Sequence, residues 1–278
     1  MDIKDCIFYK TLNILADFAD WDTTARLNHS LVAWCNHADS GFLPYETLLG
    51  KTKKIMMGVT SSLSCMRLSI VQVSHFHLLE EVIAKEFQEY DIYRYHYIVF
   101  SHSISLLQDL LFKLTSIIWS LNIKRRIIGW KELKSEQEKN NLTNILQILE
   151  TFYKKFSKHI KKRNKFSHEG LLAYNSLDNF YMTYICTNLL VINESKNQQY
   201  IRGTQENIEL LQETKEKFIK ELNQLLLDAE QCVLELCDLC LEKLMSRIEH
   251  SFFQKNRRIC NYLRIKRLYG LLEIWVTR

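Results

Sequence analysis

The stretch DIYRYHYIVFSHSISLLQDLLFKLTSII, residues 91–118, decides the fold because its apolar side chains recur at the spacing of an α-helix. That spacing, near three, four or seven residues, places them on one helical face. Asp91 is a suitable N-cap, and the next glycine, Gly129, predicts where the helix ends. The segment therefore predicts a long amphipathic helix. Its apolar positions are Ile92, Tyr95, Val99, Leu106, Leu110, Leu114 and Ile117.

The rest of the chain is predicted to be helical as well. Its 278 residues include seven glycines and a single proline, Pro44, so few positions force a helix to stop. Hydrophobic residues make up 47% of the sequence, which is enough to build a core. We therefore predict an all-α protein, a helical bundle with two long helices and additional N-terminal helices.

Local signals place the other helices. Ser135 and Glu138 form an S-x-x-E capping box, which predicts a helix that starts there and leads into a basic stretch. Asp22 and Thr204 are further candidate N-caps. Residues 51–77 mix β-branched residues with serines and fit either short strands or a helix. The helices are predicted over residues 2–20, 22–37, 91–129, 135–160, about 176–191 and 204–250.

Positive charge is concentrated in two segments. Residues 151–168 carry seven Lys or Arg and no acid, and residues 251–272 carry six and no acid. Because the whole chain has a net charge of +5, the remainder carries −8. Such concentration indicates a polyanionic partner. The predicted domains are an N-terminal helical region at 1–90, a helical bundle at 91–250 and a basic C-terminal segment at 251–278.

Cysteine usage and hydropathy indicate the compartment. The eight cysteines are scattered without paired spacings, and no leader-peptide pattern opens the chain, which predicts a reducing cytoplasm. The most apolar long run, residues 97–121, contains His102, Asp109 and Lys113. Each charge near the centre of a membrane span costs roughly 2.5 to 3.5 kcal/mol. We therefore predict no membrane-spanning helix.

Two groups of metal-ligand residue types occur, but neither predicts a metal site. His75 and His77 form one group, and Cys232, Cys237 and Cys240 form the other. Structural zinc generally takes four ligands from turns or mixed elements, and no second pair with suitable spacing completes either group. Free cysteines also pack commonly as small apolar residues.

The stretch KKFSKHIKKRNKFSHEG, residues 154–170, combines a basic stripe with one arginine on the apolar side. At 100° per residue, five lysines share one side of a helix and four apolar residues the other. Arg163 falls 180° from Lys154, where an unpaired charge is costly to bury, so it must meet an anion, a carbonyl or a subunit boundary. The lysines are Lys154, Lys158, Lys161, Lys162 and Lys165, and the apolar residues are Leu149, Phe152, Phe156 and Ile160.

His168 lies five residues after Arg163, which is about 140° around a continuous helix. The two side chains converge only if the helix breaks or if a second copy supplies the partner. Asn164 and Gly170 favour a local break, because both residue types suit turns and helix ends.

The hexapeptide RNKFSH, residues 163–168, resembles the R-x(4–6)-H signature of the HEPN superfamily, in the form in which Asn follows Arg. The resemblance covers about residues 91–250, and only the motif is residue-specific. It implies a small all-α bundle, usually dimeric, and in many members a metal-independent ribonuclease of toxin–antitoxin, phage-defence or RNA-processing systems. A homodimer with a composite active site, an antitoxin protein as a further partner and no cofactor are therefore expected.

The resemblance and the chemistry of RNA cleavage assign catalytic roles. Without a metal, the ribose 2′-OH attacks its own phosphate and leaves a 2′,3′-cyclic phosphate and a 5′-OH. His168 would transfer protons, and Arg163 would hold the phosphate oxygens with its planar guanidinium. Asn164 would orient the pair or hydrogen-bond the phosphate.

RNA binding and an accessory position complete the predicted site. The lysine stripe would give salt-dependent affinity for the RNA backbone through Lys158, Lys161, Lys162 and Lys165. The family also tends to place a polar or acidic residue on the preceding long helix. Asp109 is the first candidate for it, ahead of Gln108 and His102, and a surface position on the helix is the alternative.

Other functions stay open. A non-catalytic helical module that binds RNA or a protein predicts Arg163 in an internal salt bridge and His168 exposed or merely packed. A DNA-binding regulator fits less well, because no short helix-turn-helix pattern with a clear recognition helix is present. The C-terminal segment interleaves arginines with aromatic residues and fits RNA binding or a closing amphipathic helix equally.

Overall fold

All the regular secondary structure in the described part of the chain is helical, which confirms the predicted all-α class. The computed structural model describes residues 6–27, 44–75, 89–123, 128–169, 182–184, 186 and 198–255, and no strand occurs among them. Residues 182–184 and 186 are also helical. The helices with defined bounds are α1 (Ile7–Leu27), α2 (Pro44–Ser74), α3 (Glu89–Ile118), α4 (Trp130–Lys139), α5 (Thr143–Glu169) and α6 (Gln198–Lys255).

Helix α2 shows that the ambiguous segment after residue 50 is helical. It begins at Pro44, whose fixed φ suits the first turn of a helix. The hydroxyls that weaken helix propensity donate back to helix carbonyls, as Thr52 does to the oxygen of Leu48 at 2.8 Å. Residues at helical spacing are buried and hold the segment in this form: Met56, Val59, Leu63, Met66 and Ile70.

Four N-caps predicted from sequence are wrong, because Asp22, Asp91, Ser135 and Thr204 all lie inside helices. Residues 7–27 form one helix where two were predicted. Neither glycine nor proline interrupts these 21 residues, so a cap-forming side chain alone does not end the helix. Residues 28–37 of the predicted second helix lie outside the described part of the chain.

Helix α3 ends at Ile118, eleven residues before Gly129, the end predicted for it. Ser120 adopts a positive φ of 52°, and the N–H of Leu121 donates to the oxygen of Ser116 at 2.9 Å. Arg247 of α6 also donates to the carbonyl oxygens at the end of the helix, with the oxygen of Ile118 at 3.0 Å. A left-handed residue and an external cation therefore end α3 without a glycine.

The helix predicted from Ser135 to Ile160 is interrupted. Helix α4 ends at Lys139, Asn141 takes a positive φ of 56°, and α5 begins at Thr143. Asparagine tolerates the left-handed conformation better than most residues, which explains a turn at this position. The start of α4 is stabilised instead by Glu132, which accepts a hydrogen bond from the N–H of Gly129 at 3.4 Å.

The chain forms two compact units. The first comprises residues 1–60, 110–148 and 233–278, and the second comprises residues 61–109 and 149–232. The RNKFSH motif belongs to the second unit, whose buried core includes Leu63, Met66, Tyr97, Phe100, Phe152, Phe156, Phe218 and Leu222. The predicted domain bounds at residues 90 and 250 stay a prediction.

No described helix combines the length and the apolar composition that a membrane crossing requires.

Candidate functional site

The RNKFSH motif lies on a helix that does not break. Helix α5 continues through Asn164 to Glu169, so the backbone from Arg163 to His168 is helical throughout. Five residues of α-helix correspond to a rotation of about 140°. The local break that would bring the two catalytic candidates together within one chain is therefore not formed. The side chains of Lys165 and His168 lie outside the described residues.

Arg163 lies at the packing of α5 against α3. It is half-buried, and its Nη2 donates a hydrogen bond to Oγ of the buried Ser105. Among the described residues, no carboxylate forms an ion pair with it, so the salt bridge that the binding-module interpretation requires is not present there. Arg163, which was predicted to need a partner on the apolar side of the helix, bonds the neutral hydroxyl of Ser105.

The guanidinium of Arg163 is only partly satisfied. Its Nε is buried and has no hydrogen-bond partner among the described residues. On α3, Oγ of Ser101 and Oε1 of Gln108 are buried and unpartnered in the same way. Such atoms cost about 1 to 3 kcal/mol each, unless water or a ligand meets them.

Sequence reasoning missed a histidine that shares the side of Arg163. His159 precedes Arg163 by four residues, so the two lie one above the other on α5. Its Nδ1 hydrogen-bonds the hydroxyl of the buried Tyr97 of α3 at 3.3 Å. Tyr97, Ser101 and Ser105 occupy successive turns of α3, and the first and last of them bond residues of α5; we call these three residues, with His159 and Arg163, the polar seam. The spacing H-x(3)-R is the feature of the sequence from which the shared side of His159 and Arg163 could have been predicted.

His159 is neutral at physiological pH. Burial, aided by the positive charges of Lys162 and Lys158 and opposed by Glu221, lowers the pKa of His159 from 6.5 to about 4. A neutral imidazole keeps one nitrogen that accepts and one that donates a hydrogen bond. The polar seam therefore has one permanent cation, Arg163, beside a neutral ring.

The accessory candidates lie on α3 near Ser105, but they differ in exposure. His102 is exposed, and partial burial together with the charge of Arg163 lowers its pKa. Asp109 is half-buried one turn after Ser105, and Gln108 contributes the unpartnered oxygen described above. Asn164 is exposed at the next position around α5.

The lysine stripe divides into paired and unpaired members. Lys154 of the stripe bonds Glu150 at 3.4 Å, and Lys155, which lies beside the stripe, bonds Asp228 at 2.7 Å. Lys158 and Lys161 are exposed, and no described acid forms an ion pair with either; Lys162 is half-buried. Lys158 and Lys161, for which no described acid forms an ion pair, therefore lie in the C-terminal half of α5, next to Arg163.

Among the described residues, no group of three or more His, Cys, Asp or Glu side chains is arranged to hold a metal ion. His77 lies outside the described residues. Cys232, Cys237 and Cys240 are buried and free.

Compared with known proteins, the chain matches no family model, no curated protein and no solved structure.

Proposed function

We propose that the chain is a metal-independent endoribonuclease of HEPN type. The observation that carries the proposal is the state of Arg163, which is half-buried beside α3 and bonded to a hydroxyl, with no described carboxylate to neutralise it. A guanidinium in that state retains the charge that binds phosphate oxygens. The cellular role proposed is that of a cytoplasmic toxin or phage-defence effector that cleaves tRNA or other single-stranded RNA and is restrained by an antitoxin.

The proposed reaction is transfer within the RNA strand. The ribose 2′-OH loses its proton to His168 and attacks its own phosphorus, and the bond to the 5′-oxygen breaks as that oxygen gains a proton. Arg163 stabilises the negative charge that grows on the phosphorane oxygens. Asn164 orients Arg163 and His168 or hydrogen-bonds the phosphate. The products are a 2′,3′-cyclic phosphate and a 5′-OH.

The active site is proposed to be composite. Because α5 is continuous, Arg163 and His168 of one chain are about 140° apart around the helix axis. A twofold pair of chains removes this separation, since Arg163 of one copy can face His168 of the other. We therefore propose a homodimer, with Lys158, Lys161, Lys162 and Lys165 along the RNA path and Asp109 as an accessory residue.

The test is cleavage of total tRNA and of a single-stranded RNA by purified protein in EDTA. Wild-type protein should cleave, and Arg163→Ala and His168→Ala should each lower the rate by at least about a hundredfold. Arg163→Lys keeps the charge but loses the planar fork, so it should recover only part of the rate. Lys155→Ala, at a lysine already paired with Asp228, is the matched control and should cleave normally.

A second candidate is a non-catalytic helical module that binds RNA or a protein partner, favoured by the unbroken α5 and the Arg163–Ser105 bond. Such a module would bind RNA without cleaving it. The double variant Lys158→Ala, Lys161→Ala should then reduce the slope of log affinity against log salt by about 1.4, at roughly 0.7 for each phosphate contact with a single strand. Alanine at Lys154 and Lys155 should change the slope less, because both are paired. EDTA-resistant cleavage by wild-type protein would rule this candidate out.

A further inference from the structure

An exposed strip of α3 runs beside the bond between Arg163 and Ser105. Tyr95, His102 and Leu106 form it, because spacings of seven and four residues return to the same side of an α-helix. All three side chains are exposed, and 61% of Tyr95 and 50% of Leu106 are open to solvent. We call these three residues the exposed strip. They belong to the same compact unit as Arg163.

The exposed strip borders the point at which Arg163 reaches α3. Ser105, which accepts the hydrogen bond from Arg163, directly precedes Leu106 and follows His102 by three residues. At 100° per residue, Ser105 lies about 60° around the helix from His102 and about 80° from Tyr95. Tyr95 precedes Ser105 by ten residues, which is about 15 Å along the helix axis. An anion bound to the guanidinium would therefore lie at the Leu106 end of the strip, with Tyr95 at the far end.

The charge of this part of α3 favours a polyanion. Residues 92–108 contain no Asp or Glu but one arginine and two histidines. The nearest acids of α3, Asp91 and Asp109, lie outside that range. Arg163 adds a permanent cation at Ser105, and no described carboxylate forms an ion pair with it. A phosphate backbone that passes Arg163 therefore meets no acid between that point and Tyr95 on α3.

The ring of Tyr95 is available for stacking. Its contact with the neighbouring ring of His96 is edge-on, with the centroids 5.1 Å apart and an interplanar angle of 80°. With 61% of the side chain exposed, ring surface remains for a further partner. Proteins bind single-stranded nucleic acids by stacking successive bases on exposed aromatic side chains beside a positively charged track. Tyr95 and Arg163 provide these two elements on one surface.

The exposed strip suits separate bases better than a second copy of the chain. Tyr95 and Leu106 are its large apolar residues, and they lie eleven residues, or about 16 Å, apart with His102 between them. A stable protein interface buries on the order of 1,200 to 2,000 Å² around a well-packed apolar centre. Two apolar side chains at opposite ends of a strip form no such centre. Bases along a strand are themselves separate rings, and they require only separate platforms.

We propose that the exposed strip is the path of the bases of a single-stranded RNA, with Tyr95 as the platform on which one base stacks. The inference rests on the proposed function in one respect, because Arg163 is taken to bind a phosphate of that RNA. His102 provides a second ring, and Leu106 provides an apolar surface beside the bound phosphate. Paired bases have their faces inside the duplex, so the strip selects an unpaired segment.

The test measures binding of a 2′-fluoro oligonucleotide, which lacks the 2′-OH nucleophile and therefore stays intact. Tyr95→Ala should weaken binding of the single strand by about fivefold to a hundredfold. Tyr95→Phe keeps the ring and should bind within about twofold of wild type. Leu68→Ala, at a similarly exposed apolar residue of α2, is the matched control and should bind equally well. A duplex of the same sequence should bind Tyr95→Ala and wild type alike, which a merely structural role of Tyr95 would not explain.

Cross-linking locates the base. With 5-iodouridine in the single strand, irradiation of the wild-type complex should attach the strand to Tyr95, as mass spectrometry of the peptides would show. If the strand binds through Arg163 but attaches elsewhere and Tyr95→Ala retains full affinity, the inference is wrong and the proposed function stands.

The remaining outcomes also decide. Attachment to Tyr95 without EDTA-resistant cleavage of natural RNA would support the base path and remove only the catalytic proposal. A dimer that dissociates in Tyr95→Ala with unweakened binding of the single strand would assign the strip to a second copy and overturn the inference. Absence of any RNA binding would overturn both the inference and the proposed function.

Discussion

Arg163 on α5 donates a hydrogen bond from Nη2 to Oγ of Ser105 on α3, and so joins a permanent cation to a neutral acceptor. A hydroxyl orients a guanidinium without cancelling its charge, whereas a carboxylate would do both. The bond therefore serves the packing of α3 on α5 and leaves the arginine charged for an anion. The two roles can be separated by measurement.

Three buried serines of α3 allow the structural role to be measured. Ser105→Ala removes the partner of a charged donor and should lower the free energy of unfolding by about 1 to 3 kcal/mol. Ser101→Ala removes a buried hydroxyl that has no partner, so it should change stability by less than about 0.5 kcal/mol or increase it. Ser103 is the control, because its hydroxyl donates to the carbonyl of Val99 in its own helix. Ser103→Ala should lower the free energy of unfolding by less than about 1 kcal/mol.

Urea unfolding of the three variants checks this ordering. If Ser105→Ala were no more destabilised than Ser103→Ala, the bond to Arg163 would contribute nothing measurable to the packing of α3 on α5.

His159 should make stability depend on pH. Its folded pKa of about 4 lies below the unfolded value of 6.5, so between these values the unfolded chain binds more protons. Stability should therefore fall as the pH is lowered through 6.5 towards 4, by roughly 1 to 2 kcal/mol from pH 7 to pH 5. His159→Gln should flatten this dependence, whereas glutamine at the exposed His75 should not.

Urea midpoints at pH 7 and pH 5 give the comparison, and an NMR titration of the imidazole gives the pKa directly. A wild-type slope unchanged in His159→Gln, or a ring that titrates near 6.5, would contradict the burial of a neutral histidine at Tyr97.

The fold class followed from the sequence because helical periodicity is a local property. The apolar spacing of residues 92–117 and the scarcity of glycine and proline were sufficient to predict α3 and an all-α chain. Helix ends were predicted poorly. Asp22, Asp91, Ser135 and Thr204 have side chains suited to caps, yet each lies within a helix, because a cap-forming side chain alone does not fix where a helix starts.

The site was predictable only in part, for the same reason. The angular positions of residues 149–165 around a helix identified Arg163 as an arginine on the apolar side of α5. In the structure, Arg163 bonds Ser105 of α3. The identity of its partner, Ser105, depends on the register between α3 and α5, and the two residues lie 58 positions apart in sequence. The lowered pKa of His159 likewise arises from burial against Tyr97, which no spacing within α5 encodes.

Arg247 should be a structural residue at the end of α3. It donates to the carbonyl oxygens of Ile117 and Ile118 at the end of the helix, and the oxygen of Ile117 also accepts from the N–H of Ser120 at 3.3 Å. Arg247→Met retains much of the apolar stem but leaves those oxygens without this donor, and it should lower the free energy of unfolding by about 1 to 3 kcal/mol. Lys243→Met, one turn earlier on α6 and equally half-buried, is the control and should stay within about 0.5 kcal/mol of wild type.

Thermal unfolding and hydrogen exchange at residues 118–121 would check the role of Arg247. Unchanged exchange in Arg247→Met would show that the positive φ of Ser120 ends the helix without help.

A composite site predicts that two inactive variants rescue each other. In a mixed dimer of Arg163→Ala and His168→Ala, one of the two clefts combines Arg163 from one copy with His168 from the other and is intact. Because about half of randomly paired dimers are mixed and each has one intact cleft, the mixture should recover about one quarter of the wild-type cleavage rate. Mixing requires that the dimers be dissociated and reassembled, with size-exclusion chromatography to verify the dimer.

The control for rescue is the double variant Arg163→Ala, His168→Ala mixed with wild type. In that mixed dimer each cleft carries one substitution, so only the wild-type pairs should cleave and the rate should again approach about one quarter of that of the undiluted enzyme. If each chain instead held a complete site, the single variants would stay inactive together, while the mixture with wild type would retain about half of the rate. The continuous helix between Arg163 and His168 favours the first pattern, because it places the two positions of one chain about 140° apart around the helix axis.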